Sequence, residues 1–320
     1  MICRRTFIKG TALVAGTAAV SGSWLAFSDS RAARWARRII DDSRRSVAAA
    51  PAKPDLSTWK DNQITMAWLG HSTVLINFYG MHILTDPVLK NRVGISTGFG
   101  TLGPKRFIAP ALTIKELPPT IDVVLLSHAH YDHFDLPTLR ELGPRVGVAT
   151  ASSTGDLLRG IFDNVHELSW GGRANFKIAK GDLAVEAIEV KHWGQRWPSG
   201  VKRGYNGYVL HREGKSLLFG GDTANTPAFA EAKSRGPFQA AIMPIGAYQP
   251  WIWHHCTPEQ ALEMANAAGA NYIIPVHHQT FKLSEEPALE PIERLEAALA
   301  KEPERLALKQ IGQTFVCPTA

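Results

Sequence analysis

The chain has 320 residues, 45% of them hydrophobic, and a formal charge of +6; it is long enough for one large α/β domain and too apolar to be disordered throughout. Residues 1–50 carry nine Lys or Arg against three Asp, and residues 51–320 carry 26 against 26, so the body lacks the net basic charge expected of a nucleic-acid enzyme and no nucleic-acid partner is expected. Three cysteines, one of them Cys3, make no disulfide framework, and whether Cys256 and Cys317 pair stays open.

In chain order, Arg4-Arg5-Thr6-Phe7-Ile8-Lys9 is a twin-arginine pair followed by an uncharged, small-residue stretch over 10–27. Residues 1–30 therefore read as a twin-arginine signal segment, which implies the Tat export machinery as a partner. The expected location is periplasmic, or attached to the outer face of the inner membrane. A basic amphipathic helix or a membrane anchor is the alternative, because about 18 moderately apolar residues just suffice to span. No cleavage site stands out, so cleavage and retention both stay open. Residues 31–60 read as a basic stalk and linker, with Trp35, Ile39 and Ile40 near helical spacing over 31–47 and a linker over 48–54.

The body, 61–320, turns β at residue 64. Strands are expected over 64–69, 72–79 and 81–85, then a Gly- and Thr-rich loop over 91–110 and a strand over 121–127. Asp135 caps a helix running to Leu142, with Pro137 in its first turn. Further strands are expected over 183–191, 205–212, 215–220, 240–244 and 271–276, with helices over 258–268, capped by Thr257, and 291–300. This order suggests two sheets face to face with helices outside.

The chemistry concentrates at His128-Ala129-His130-Tyr131-Asp132-His133. Imidazole and carboxylate are the ligands Zn²⁺ prefers, and a strand that stops before His128 puts them in a loop that water reaches. His192, Asp222 and His277 each follow an apolar strand in the same way, and strand ends of packed sheets converge. A lone histidine after a strand is ordinarily structural; four such endings beside the cluster reverse that reading. Asp86 also follows a strand and is read as a carboxylate that orients ligand histidines, against a turn residue before Pro87.

At this point the chain resembles the metallo-β-lactamase fold and, within it, the N-acylphosphatidylethanolamine-hydrolysing phospholipase D family and its bacterial members. The resemblance rests on Trp68-Leu69-Gly70-His71, Leu84-Thr85-Asp86-Pro87, Gly103-Pro104-Lys105-Arg106-Phe107, the histidine cluster, His192-Trp193, Gly220-Gly221-Asp222-Thr223 and Pro244-Ile245-Gly246-Ala247-Tyr248. It implies an αββα sandwich of two mixed β-sheets. It also implies two zinc ions, one held by His128, His130 and His192, the other by Asp132, His133 and His277, with Asp222 bridging and a hydroxide between the metals. His255 then faces the substrate as a proton donor, alongside Asp132 and Asp222 as catalytic groups, and His71, Tyr248 and His254 stand near substrate or behind the ligands. His254 and His278-Gln279 depart from the family pattern, which points to an altered pocket. Tyr248, Trp251, Ile252 and Trp253 make an aromatic-rich loop, read as lipid contact or as ordinary core packing. Lys105 and Arg106 are read as phosphate-binding or solvated.

The implied activity is phospholipase D-type phosphodiester hydrolysis of an N-acylated phosphatidylethanolamine, at a membrane surface. The alternatives are a lactonase opening sugar-phosphate lactones and a non-catalytic binding or regulatory protein on the same fold.

Overall fold

The computed structural model describes residues 41–42, 44–96, 98, 100–196 and 200–318. The twin-arginine segment lies outside them, as does most of the expected stalk helix, of which Asp41, Asp42 and Arg44 are helical. Among the described residues no helix is long and apolar enough to cross a membrane.

The strands are β1 (Ile64–Gly70), β2 (Thr73–Phe78), β3 (Met81–Thr85), β4 (Ile95–Ser96), β5 (Thr101–Leu102), β6 (Val123–Leu126), β7 (Gly147–Ala151), β8 (Asn164–Leu168), β9 (Arg173–Ile178), β10 (Gly181–Ile188), β11 (Gly207–Arg212), β12 (Lys215–Phe219), β13 (Phe238–Pro244), β14 (Ala270–Val276) and β15 (Thr314–Val316). They build a seven-stranded sheet, β15-β1-β2-β3-β6-β7-β8, a six-stranded sheet, β14-β13-β12-β11-β10-β9, and the small hairpin β4-β5. Four described helices accompany them: α1 (Leu136–Leu142), α2 (Ala228–Glu231), α3 (Pro258–Ala268) and α4 (Glu290–Ala298). Both sheets are mixed, as the sandwich requires: β3, β6, β7 and β8 run parallel, as do β12, β13 and β14, and the remaining pairs are antiparallel.

Period-two alternation divides the second sheet between two cores. Tyr208, Leu210, Leu217, Phe219, Ala240, Ile242, Ile274 and Val276 face the first sheet. Their neighbours Val209, Leu218, Ala241, Met243 and Ile273 pack instead with Ala261, Leu262, Ala265 and Ala268 of α3 and Ile292 and Leu295 of α4. Polar groups lock the sheets together. The Tyr208 hydroxyl donates to the Leu126 carbonyl at 2.8 Å, and the buried Arg212 guanidinium donates to the carbonyls of Phe78 and Asp182 at 2.8 and 2.9 Å. Both helix caps read from sequence form: Asp135 accepts from Thr138 N, and Thr257 closes a capping box with Gln260.

Two expectations are corrected and one open question is answered. The segment after residue 47 is not a free linker: Ala48 N–H donates to Phe107 O and Ala52 N–H to Ile311 O, so the compact body begins at Val47. Strands β4, β5, β7, β8, β9 and β15 were not expected; each is only two to six residues long. Cys256 and Cys317 are both free and buried, in different cores.

Candidate metal centre

The residues singled out at strand ends converge for a topological reason. In the first sheet β1, β3 and β6 point the same way, since two antiparallel steps separate β1 from β3 and β3 pairs parallel with β6. Their C-terminal ends deliver His71, Asp86 and His128. In the second, β10, β12 and β14 likewise share a direction, and His192, Asp222 and His277 follow their C-terminal ends. His277 follows its strand directly, whereas His192 lies four residues beyond Ile188 and Asp222 three beyond Phe219. His71, Asp86 and His277 each take a left-handed backbone, with φ of 53°, 34° and 64°. Such conformations cost about 1–3 kcal/mol each and turn the chain sharply at the strand end. Gly246 lets the neighbouring loop pass: a Cβ there would lie 2.3 Å from the His277 carbonyl oxygen.

Two groups of ligand atoms result. In the first, His128 Nε2 lies 2.8 Å and His192 Nε2 3.2 Å from His130 Nδ1. The far nitrogens fix the tautomers of His128 and His192. His128 Nδ1–H donates to Ser127 Oγ at 2.9 Å and His192 Nδ1–H to the His254 carbonyl at 2.8 Å, so both Nε2 atoms present lone pairs to His130. The second group joins His71, Asp132, His133 and His277. Asp222 stands between them: its Oδ2 is 3.1 Å from His133 Nε2, 3.2 Å from His277 Nε2, 3.7 Å from His192 Nε2 and 3.8 Å from His128 Nε2. Asp222 Oδ1, His133 Nε2 and His277 Nε2 are buried with no hydrogen-bond partner. Buried nitrogen and oxygen atoms converging without hydrogen-bond partners fit a donor set for borderline divalent cations.

Charge in this pocket follows the same logic. Burial pushes His128 and His192 well below the usual imidazole range and His130 down to about 4. Burial also opposes charge on His133 and His277, but Asp222 and Asp132 outweigh it, holding His133 well above its ordinary value and His277 at about 9. The carboxylates thus draw positive charge inward.

Behind the ligands, Asp86 is fully buried and accepts from His133 Nδ1, Ser127 Oγ and Ser127 N at 2.6, 2.6 and 2.7 Å. One carboxylate therefore orients His133 directly and His128 through Ser127. His71 donates from Nε2 to Asp132 Oδ2 at 3.0 Å, while its backbone is tied to Thr280 Oγ1 and to His277 N–H.

A cavity of about 240 Å³ opens over the cluster, lined in part by His130, Asp132, Trp193, Asp222, Trp251 and His255. His255 is buried, with Nδ1 unpartnered and 3.9 Å from Asp222 Oδ2; burial lowers its pKa to about 4. His254 lies outside that lining; its carbonyl accepts from His192 Nδ1, and its ring packs edge-on against Trp193 with centroids 4.3 Å apart. Tyr248 is also elsewhere, its hydroxyl donating to Glu290 at 2.8 Å and its ring beneath Arg294. His278 stacks on Trp68, and with Gln279 it lines an adjoining cavity of about 250 Å³ that shares Ala247, His277 and Leu283 with the first.

The aromatic loop divides: Tyr248 is buried, as core packing expects, whereas Trp251 and Trp253 are 47% and 74% exposed and Ile252 is exposed too. Both readings of Arg106 fail. It is completely buried, donating to the carbonyls of Lys90 and Val88 with its guanidinium over Phe281. Sequence reasoning missed Ser127, Thr280 and Arg196, which reach the ligands through hydroxyls and backbone carbonyls. Adjacency to His128 was the only available signal, and only for Ser127.

The chain matches the family described as β-lactamase superfamily domain over residues 82–278. It is 31% identical over 293 residues to an uncharacterised protein of Mycobacterium tuberculosis, covering 87% of this chain and 76% of that one. It is also 31% identical over 248 residues to an N-acyl-phosphatidylethanolamine-hydrolyzing phospholipase D of Caenorhabditis elegans, covering 71% of this chain and 67% of the relative. Among solved structures, a metallo hydrolase from Ignicoccus hospitalis superposes with a TM-score of 0.60 at 20% identity, over 81% of this chain and all of that one. With its sandwich, its converging strand ends and its clustered histidines, the chain belongs to the metallo-β-lactamase superfamily, as a metal-dependent hydrolase resembling the N-acylphosphatidylethanolamine-hydrolysing phospholipase D family.

Proposed function

We propose that this protein is a dinuclear zinc phosphodiesterase of phospholipase D type acting on N-acylphosphatidylethanolamine-like lipids. One observation carries the reading: Asp222 Oδ2 lies within 3.1–3.8 Å of nitrogens from both ligand groups, at the floor of an accessible cavity. His128, His130 and His192 would hold one cation, Asp132, His133 and His277 the other, and Asp222 both. Two such cations supply a water acidified at neutral pH and neutralise charge on a phosphoryl group. His255 faces the same cavity; neutral at working pH because burial lowers its pKa, it would take up the proton that the attacking water loses and deliver it to the leaving alkoxide. Trp193 and Trp251 wall the cavity and exclude water from the reacting bond.

The named activity of the Caenorhabditis elegans relative and the exposed Trp251-Ile252-Trp253 loop support a phospholipid substrate met at a membrane surface. The twin-arginine motif supports export through the Tat machinery to the periplasm or the outer face of the inner membrane. The test is incubation of the purified, zinc-loaded protein with N-acylphosphatidylethanolamine vesicles, following phosphatidic acid and N-acylethanolamine. Turnover of a sugar-phosphate lactone with no phosphodiester cleavage would favour the lactonase instead. Undiminished activity in His128→Ala would sink both, and fewer than one zinc per chain after loading would favour a non-catalytic binding role.

A further inference from the structure

The ligands of the first triad come from two sheets. His128 and His130 ride on the loop after β6, together with Asp132 and His133, whereas His192 follows β10. Backbone contact near the site comes from Asn206 N–H to Ser127 O and the bridge between His128 and Tyr205; both hold only the entry to the cluster loop, and neither involves the His192 segment. Arg196, four residues after His192, fills the gap. Its Nη1 donates at 2.8 Å to the carbonyls of both Ala129 and Phe134, the residues that bracket His130 to His133. Its guanidinium carbon stands 4.0 Å over the centre of the Tyr131 ring and 5.7 Å from that of Phe134.

The geometry points to Arg196 as a positioning residue that fixes the cluster loop against the His192 segment and thereby sets the spacing of the metal ligands. Within the loop, the His133 and Phe134 N–H groups both turn back to the His130 carbonyl, forming one tight turn. The turn sets the loop's internal shape, and Asp86 and His71 hold its His133 and Asp132 from the first-sheet side. Arg196 grips both of its ends with a single planar group, while stacking on Tyr131 blocks rotation about the line joining those ends. Arg196 is half-buried, and burial lowers its pKa, yet a guanidinium stays charged at any working pH. Lysine cannot substitute: an ammonium is a point donor without a face to stack, so it holds a carbonyl but not the loop's orientation.

This inference rests on the metal reading above, and chelator competition separates the two. Zinc affinity is measured on the full protein, on Arg196→Ala and Arg196→Lys, and on Arg305→Ala, whose guanidinium serves Asn271 and Glu302 away from the site. Arg196→Ala is expected to lose about 10- to 100-fold in affinity, the range for groups that orient ligands. Arg196→Lys should recover only part of that loss, and Arg305→Ala should match the parent. In cobalt-loaded protein, the visible absorption band should shift in both Arg196 variants, a signature that loss of general stability would not produce. Affinity within twofold of the parent in Arg196→Ala, or full recovery by lysine, would overturn the positioning role alone. A parent that takes up no metal would remove the metal reading itself. Should Arg196→Ala fail to fold, Arg196→Lys decides: parental affinity and an unmoved cobalt band overturn the proposal.

Discussion

The Asp86 carboxylate accepts from His133 Nδ1 at 2.6 Å, with both side chains completely buried. That bond fixes the proton on Nδ1 and leaves Nε2 to the centre, and Asp86 simultaneously steadies His128 through Ser127. Burial raises the Asp86 pKa, so the carboxylate depends on His133 and Ser127 to stay ionised. Asp86→Ala should therefore lower metal affinity about 10- to 100-fold. Asp86→Asn keeps one acceptor oxygen and should fall between. Chelator competition reads both, and parental affinity in the alanine variant would show that the bond is incidental.

His255→Gln separates proton donation from ligation. His255 lines the cavity and stands within ligand distance of His192 and Asp222, its Nδ1 3.9 Å from Asp222 Oδ2, so proton transfer and ligation are both open to it. The variant should keep parental metal content and lose about 10²- to 10⁴-fold in kcat on a substrate with a poor leaving group. A leaving group that departs unprotonated, such as nitrophenolate, should restore most of the rate. Loss of metal from the variant would instead make His255 a ligand.

The convergence of the candidate ligand residues was legible in the sequence because each stands at or just beyond an apolar run, and parallel strand direction then brings those ends to one edge. What was not legible is how they are held. Ser127 acts by bridging two side chains, His254 by a carbonyl, and Arg196 by gripping two carbonyls 62 and 67 residues away in sequence. Backbone acceptors carry no residue identity, so no motif records them. Arg106 misled for the opposite reason: a charged residue in a Gly-rich loop resembles an anion site, yet here the loop folds over it and the guanidinium satisfies carbonyls at 88 and 90.

The exposed indoles make a prediction about substrate form. Trp251 both lines the cavity and begins the exposed Trp251-Ile252-Trp253 run, so a lipid engaged by that run is delivered beside the ligands. Trp253→Ser is expected to cut turnover of vesicle-borne phospholipid by about tenfold, in line with one lost interfacial aromatic contact. Turnover of a short, fully soluble phosphodiester should stay at the parental value, because Trp253 does not line the cavity. Equal losses on both substrates would assign Trp253 to the integrity of the loop rather than to lipid contact.

A pH prediction comes from the far edge of the second sheet. Glu186 on β10 lies directly opposite Arg173 on β9 and accepts from Arg235 Nε at 2.6 Å and Arg173 Nε at 2.9 Å. Burial alone would raise its pKa, but Arg235 and Arg173 outweigh burial and hold it below the usual carboxylate range. The Arg173 side chain is 70% exposed, so solvent screens its share and Arg235 dominates. Because the folded pKa lies below the unfolded one, the unfolded chain binds a proton first as pH falls, and stability declines with it. The contribution is complete above the unfolded value of about 4.3 and disappears as pH passes the folded value. Glu186→Gln should therefore cost about 2 kcal/mol at neutral pH. The gap between parent and variant should narrow steadily below about pH 4. Urea unfolding across that range measures it; a gap independent of pH would mean that glutamine disturbs packing and that the charge contributes nothing.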